Sequence, residues 1–259
     1  MKIATWNINS LRLRLDLLST FAKISNPDII CLQETKTPDE LFPQDEIKKI
    51  GYKYMAFKGE KSYNGVAILS KHPIDNIFAS SFYNDDKRHI SAKIRDIEIH
   101  NFYVPAGGDE PDIEINPKFK HKLEYIRSIE NWFLTNRNKN DKIILAGDLN
   151  IAPHANDVWS STQLKNVVSH TPLERELLIN LQHSFDFVDS ARFFTSMEEK
   201  LYSWWSYRNR DWRKSNRGRR LDHIWVTQPL KHQLKSITTL KEARDWIRPS
   251  DHVPFMIEL

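Results

Sequence analysis

The stretch Lys142 to Pro153, K-I-I-L-A-G-D-L-N-I-A-P, runs an apolar strand directly into a turn that carries a carboxylate and an amide. Ile143 to Ala146 form an unbroken apolar run, the mark of a strand buried on both faces. Gly147 lets the backbone turn where a side chain would clash, and Asp148 and Asn150, two positions apart, point the same way off the strand end. In α/β proteins, ligands and chemistry gather at the carboxyl ends of buried strands. The competing reading of G-D-x-N is a plain turn, because Asp and Asn are turn formers. What separates the two is how many other strand ends in the chain carry such groups.

Upstream, Ile3 and Thr5 fall on one side of a first strand and Ala4, Trp6 and Ile8 on the other, with Asn7 at its exit. Ser10 is placed to cap a helix bearing Leu11, Leu15, Leu18 and Phe21, which Asn26-Pro27 stops. Asp28 to Leu32 is a short apolar strand with Glu34 in the polar quartet that ends it. A helix is predicted over Leu41 to Ile50, and strands over Tyr52 to Phe57, Gly65 to Leu69 and Ile74 to Ala79. Ile90 to Ile94 and Ile97 to Tyr103 alternate around Arg95-Asp96 as a hairpin and leave Tyr103 at a strand end. Ala106 to Asn116, acidic and rich in Gly and Pro, reads as a surface loop, and Leu123, Ile126, Ile129, Trp132 and Phe133 follow the helical period. A further helix spans Glu174 to Leu181. A strand over Leu221 to Val226 has Asp222 at its entry, and Asp251-His252 precede a closing strand over Phe255 to Leu259. Strands and helices alternate, yet several strand pairs are hairpin-like, so the fold class is α/β with mixed sheets, as one domain over residues 1–259.

Lys and Arg total 38 against 34 Asp and Glu. That small excess permits a polyanionic partner without demanding one. Its distribution is more telling: Arg208, Arg210, Arg213, Lys214, Arg217, Arg219 and Arg220 cluster around Trp212, beside Trp204 and Trp205. Rings that stack on bases or sugars next to guanidinium groups that pair with phosphates suit nucleic acid; a solvated loop against a Trp-rich core edge is the plain alternative. Cys31, the single cysteine, sits in an apolar strand and reads as a buried inert thiol. The start M-K-I-A-T-W-N lacks an apolar signal-peptide core, and no apolar run reaches the roughly 18 residues of a membrane span, so the expectation is a soluble cytoplasmic protein with no membrane association.

Asn7, Glu34, Tyr103, Asp148, Asn150, Asp222, Asp251 and His252 all flank predicted strands. Brought to one rim by two packed sheets, they supply acidic and amide oxygens for a hard divalent cation, Mg²⁺ with Mn²⁺ as substitute, and an imidazole for a phosphate oxygen. With one cysteine there is no thiolate zinc cage.

W-N-I-N at 6–9, P-D-I-I-C-L-Q-E-T-K at 27–36, Y-V-P at 103–105, G-D-L-N-I-A-P at 147–153, W-W-S-Y-R at 204–208, R-L-D-H at 220–223 and S-D-H-V-P at 250–254 resemble, in order and end to end, the motifs of the exonuclease III family of apurinic/apyrimidinic endonucleases. The resemblance implies a four-layer α/β sandwich of two packed mixed β-sheets flanked by helices. It also implies Mg²⁺-dependent cleavage of the phosphodiester 5′ to an abasic site, with 3′-5′ exonuclease and 3′-phosphatase activity. The expected partner is double-stranded DNA with abasic or 3′-blocked sites, met by a monomer. Carried over by position, Glu34 is the principal metal ligand, with Asn7 holding it or joining the shell, and Asp251 supplies a second metal position. Asp148 positions or deprotonates the attacking water, Asn150 orients it, and both count with His252 among residues near the metal. His252, oriented by Asp222, binds a non-bridging phosphate oxygen, and Tyr103 contacts the phosphate or assists the leaving oxygen. Trp204 and Leu221 build the abasic pocket, with Arg208 and Arg219 on the substrate. Two places depart from the family pattern: Ala106, Gly107, Gly108 and Asp109 follow the Tyr-x-Pro where an amide is common, and Arg219 stands where some relatives are aromatic. A same-fold phosphoesterase acting on inositol phosphates or phospholipid head groups is the alternative.

Overall fold

The computed structural model describes residues 1–84, 86–209 and 211–259. One six-stranded sheet contains β1 (Lys2–Asn7), β2 (Ile29–Gln33), β3 (Tyr54–Glu60), β4 (Tyr63–Ser70), β13 (Ser236–Thr239) and β14 (Phe255–Glu258), in the order β13-β14-β1-β2-β4-β3. The other contains β5 (Asp75–Phe78), β6 (His89–Ile94), β7 (Ile97–Tyr103), β8 (Ile143–Asp148), β9 (Val188–Asp189) and β12 (Asp222–Val226), in the order β5-β6-β7-β8-β12-β9. A two-stranded ribbon joins β10 (Trp204–Trp205) to β11 (Gly218–Arg219). Among the described residues only β1–β2 and β7–β8 pair in parallel within the two large sheets, so both are mixed, as the hairpin-like strand pairs predict.

Period-two alternation sorts the side chains into layers. Ile3 of β1 joins the cluster between the sheets with Ile29, Ile68, Ile99, Ile144 and Ile224, while Ala4 and Trp6 face outward. That outer face is covered by α1 (Leu15–Ser25) and α2 (Gln44–Lys49) through Leu18, Phe21 and Ile47. On the far side, α3 (Pro117–Asn136) and α5 (Pro172–Ser184), separated in sequence by the one-turn α4 (Ser161–Leu164), pack Ile126, Ile129, Phe133, Leu178 and Leu181 on Phe102, Leu145 and Trp225. The result is the expected four-layer sandwich. Between the sheets a buried polar bridge interrupts the hydrocarbon: Gln33 Nε2 donates to Asn101 Oδ1 at 2.7 Å, and Asn101 Nδ2 donates to the carbonyls of Leu32 and Ala67.

Two local expectations change. Ser10 caps no helix; its amide and that of Leu11 donate to the carbonyls of Glu34 and Thr35, so Arg12–Arg14 form a 3-10 turn before α1 begins at Leu15. Gly147 does not turn the chain, because β8 continues through Asp148. Its role is close approach, since a Cβ there would lie 1.9 Å from the Phe102 carbonyl oxygen of the parallel neighbour β7. Among the described residues no helix is long and apolar enough to cross a membrane.

Candidate active site

Strand direction brings the polar ends together. β7 and β8 run parallel with Tyr103 opposite Asp148, so their exits coincide. β12 runs antiparallel to β8 with Asp222 opposite Asp148, so its entry meets that same edge. From the facing sheet, β1 delivers Asn7 and the exit of β2 delivers Glu34. Glu34 and Asn150 both hold a left-handed backbone, φ 51° and 52°, a conformation that costs a non-glycine residue about 1 kcal/mol or more and turns each chain sharply out of its strand.

Hydrogen bonds join the two sheets at this rim. Asn7 Nδ2 donates to Glu34 Oε1 at 2.8 Å and to Asp148 Oδ2 at 2.9 Å. Asp148 Oδ1 accepts the Asn150 amide, and the Asn150 side chain donates to Asp148 Oδ2 and to the Val104 carbonyl. His252 lies between two carboxylates, with Nδ1 2.8 Å from Asp222 Oδ2 and Nε2 3.6 Å from Asp148 Oδ2. Tyr103 donates its hydroxyl to Glu34 Oε1 at 2.8 Å. Asp251 turns both oxygens elsewhere, accepting from Asn9 Nδ2 and from the Trp204 indole.

Burial sets the charges. Asp148 is pushed up to about 7 because burial disfavours its charge, and the Asp222 and Glu34 carboxylates add to that push while His252 and Asn7 oppose it. Burial works against protonated His252 too, but Asp222 and then Asp148 outweigh it and push it up to about 10. The ring therefore stays an imidazolium at neutral pH. Burial raises Glu34, yet the Lys36 ammonium and the bonds from Asn7, Lys36 and Tyr103 bring it below the ordinary carboxylate value. Tyr103 is held well above its ordinary value, by burial first and Glu34 second, and remains a neutral donor.

Asp148, Asp222 and His252 place ligand atoms within 4.8 Å of one another and could hold a metal ion. The Asp222–His252 hydrogen bond uses Asp222 Oδ2 and His252 Nδ1, and a protonated His252 offers no lone pair to a cation. Glu34 fits a hard cation better: its Oε2 is met by the Lys36 ammonium at 2.8 Å, so positive charge already sits there, and the carboxylate faces open space. Its neighbours Asn7 and Tyr103 bring neither sulfur nor imidazole, so an ion held there would meet oxygen, the chemistry of a hard divalent cation.

A cavity of about 650 Å³ opens over the set, walled by Trp204, Leu221, Trp159 and Leu164 and reached by Arg208, Arg217 and Arg219. A second, of about 640 Å³, shares Glu34, Tyr103, Ala106 and Gly108 with it and continues past Arg88, Lys118 and His121. The basic run is thereby sorted. Arg213 is held by Asp245, and Arg220 is buried on Asp157 and Asp189 behind Leu221. Lys214 is exposed, and Arg210 lies outside the described residues. Residues not singled out from sequence support the rim: Lys122, fully buried, pairs with Glu174 and donates to the Ala106 and Asn150 carbonyls, tying both loops of the site to α3 and α5. The signal was present, a lysine on the apolar stripe of α3 beside Phe119, Leu123 and Ile126. Nothing local marked Trp159.

The sequence matches the model of the Endonuclease/Exonuclease/phosphatase family over residues 4–252. The chain belongs to that family. Family relatives include the exodeoxyribonuclease III of Haemophilus influenzae, 29% identical with 100% of this chain and 99% of that protein covered, and a Bacillus subtilis exodeoxyribonuclease, 30% identical over 98% and 97%. Among solved family structures, an AP endonuclease from Archaeoglobus fulgidus superposes with a TM-score of 0.91 at 32% identity, covering 99% of this chain and 98% of that one. A 3′ phosphatase from Neisseria bound to product DNA hairpin gives 0.91 at 30% identity, covering 100% and 99%.

Proposed function

We propose that the protein is a divalent-cation-dependent DNA repair nuclease that hydrolyses the phosphodiester 5′ to an abasic nucleotide and also trims and dephosphorylates 3′ ends. The observation that carries this reading is one buried carboxylate, Asp148, bonded to Asn7 and Asn150 and set against an Asp222-held imidazolium, at the base of a cavity with aromatic and arginine walls. Asp148 takes a proton from water that Asn150 orients, and the His252 imidazolium binds a non-bridging oxygen of the phosphate as charge builds there. Tyr103, a neutral donor, addresses the phosphate or the leaving oxygen. Mg²⁺, with Mn²⁺ as substitute, would be held by Glu34 with Asn7 aligning the carboxylate, and would neutralise phosphate charge. Asp251 serves the Trp204 wall first and a second metal position only if it releases the indole. Trp204 and Leu221 form an apolar pocket for an extruded sugar that lacks its base, and Arg208 and Arg219 meet the strand. All these residues come from one chain, so a monomer suffices.

The test is incubation of the purified protein with an abasic duplex, an intact duplex and an inositol phosphate, each with Mg²⁺ and with EDTA. The reading requires Mg²⁺-dependent incision of the abasic strand alone among the internal sites. Hydrolysis of the inositol phosphate without incision of DNA would replace it.

A further inference from the structure

Arg219 is a charge without an internal match. Its Nη1 donates to the Val168 carbonyl and to Ser169 Oγ at 2.7 Å, and its guanidinium lies over the Trp204 ring, 5.3 Å from the centroid. No carboxylate among the described residues forms an ion pair with it; Glu174, the acid whose charge reaches it, is already paired with Lys122, and Asp109, exposed on the same cavity, makes no ion pair with it. The side chain is half-buried and lines the cavity shared by Asp148, Asn150 and His252. A neutral guest that displaced water there would leave this cation desolvated and unpaired, which is costly, whereas an anionic guest would complete it. Its position is set by strand pairing. His252 bridges to Trp204 and Trp204 pairs with Arg219, so the three stand in one row across the backbone, and residues directly opposite one another share a face. A phosphate at His252 therefore has Trp204 and then Arg219 beside it along the cavity wall.

We propose that Arg219 makes the far wall of this cavity an anion subsite, which selects DNA substrates bearing a negatively charged oxygen group one short fragment beyond the scissile phosphate. The inference rests on the nuclease reading above. Two sources share that chemistry: a carboxylate on a fragment left at a broken 3′ end, and the phosphate that follows an abasic sugar in an intact strand. In either case the chemical step is unchanged. Water adds to phosphorus, the bond to the 3′ oxygen breaks, that oxygen departs as the hydroxyl, and the proton lost by water balances the one it gains.

Two substrate pairs test it by kcat/KM with Mg²⁺. One pair is a 3′ phosphate esterified with a carboxymethyl group against the neutral 2-hydroxyethyl ester. The other is an internal abasic analogue followed by a phosphate against one followed by an uncharged methylphosphonate. The wild-type protein is expected to favour the charged member of at least one pair by about tenfold, equivalent to about 1.4 kcal/mol. Arg219→Gln should bring that ratio to about one whatever it does to the absolute rates, and Arg219→Lys should keep part of the preference. A preference in the first pair identifies the carboxylate source, in the second the phosphate source, and either supports the subsite. Wild-type ratios near one in both pairs overturn it without recourse to a variant, as does an unchanged ratio in a folded Arg219→Gln. Failure to cut any of the four substrates overturns the nuclease reading along with it, whereas cleavage of all four without preference overturns the subsite alone.

Discussion

His252 and Arg219 face one cavity from either side of Trp204, yet their charges are held in opposite ways. His252 is 5% exposed and has a carboxylate on each side, Asp222 and Asp148. Arg219 has an aromatic face, a carbonyl and a hydroxyl, and no acid among the described residues. Glu34 stands between these cases, with a buried partner in Asn7 and an ammonium from Lys36 that a stronger cation can displace. Charges matched inside the protein keep their geometry whether or not substrate is bound, which suits proton transfer. Charges left unmatched reserve their strongest interaction for a ligand, which suits recognition. The matched part should therefore respond to mutation in turnover and to pH in stability, and the unmatched part in binding and salt dependence.

The largest effect belongs to Asp148. Asp148→Asn keeps the shape but removes the proton acceptor, so kcat should fall on the order of 10³-fold with KM little changed. Single-turnover rates within tenfold of wild type at saturating Mg²⁺ would assign the chemistry to another group. Next comes the fold behind that carboxylate. His223, fully buried, donates Nε2–H to the Ile151 carbonyl, and burial, reinforced by Arg220, lowers it to about 4. The unfolded chain binds a proton near pH 6.5 that the folded chain refuses, so stability is full above 6.5 and is lost as pH falls toward 4, by up to about 3 kcal/mol. Urea titrations from pH 7.5 to 4.5 measure this; His223→Gln should make the profile above pH 5 less steep, the buried His89 and His100 keeping the rest of the slope, and an equally steep profile in the variant would place the acid sensitivity in those groups alone.

Glu34→Gln should raise the Mg²⁺ concentration for half-maximal activity by roughly 10 to 100-fold while the limiting rate partly recovers, since one cation-holding charge is lost and the proton acceptor is not. An unchanged Mg²⁺ curve would move the cation away from Glu34. The smallest effect is at Arg217, exposed with its guanidinium 4.6 Å from the Trp159 ring centroid. Arg217→Gln should reduce the slope of log affinity against log salt by about one unit for duplex DNA. The same slope in both proteins would mean that Arg217 meets no phosphate.

Asp148, Asn150, Glu34 and Asp222 could be read as strand-end groups because a buried strand is written as an apolar run and its end as the first polar residue. Strand pairing, which chooses the edge they share, depends on register between segments far apart and is not written locally. The helix after β1 shows the limit of local rules, for Ser10 has the residue type of a cap but is pinned by the exit of β2. The arginine run shows it more strongly. Sequence presents Arg213, Arg219 and Arg220 as equals, and only the fold assigns Asp245 to the first, Asp157 and Asp189 to the third, and no acid to the second. Lys122 lies in a helical stripe that any apolar residue would continue, and its partner Glu174 closes a capping box with Thr171 that only the structure displays.

Glu34 and Asn7 ride on one sheet and Tyr103, Asp148 and Asp222 on the other, so the working constellation spans an interface that is mostly hydrocarbon. Hydrocarbon contact has no direction and resists separation far better than sliding. The Gln33–Asn101 bridge, one residue behind Glu34 and two before Tyr103, acts there as a dowel pin, fixing the phase of one layer against the other. Misalignment of even a few tenths of an ångström would be felt first at the Asn7–Asp148 bond, which makes the machining tolerance of the catalytic rim a property of an amide pair that never touches the substrate.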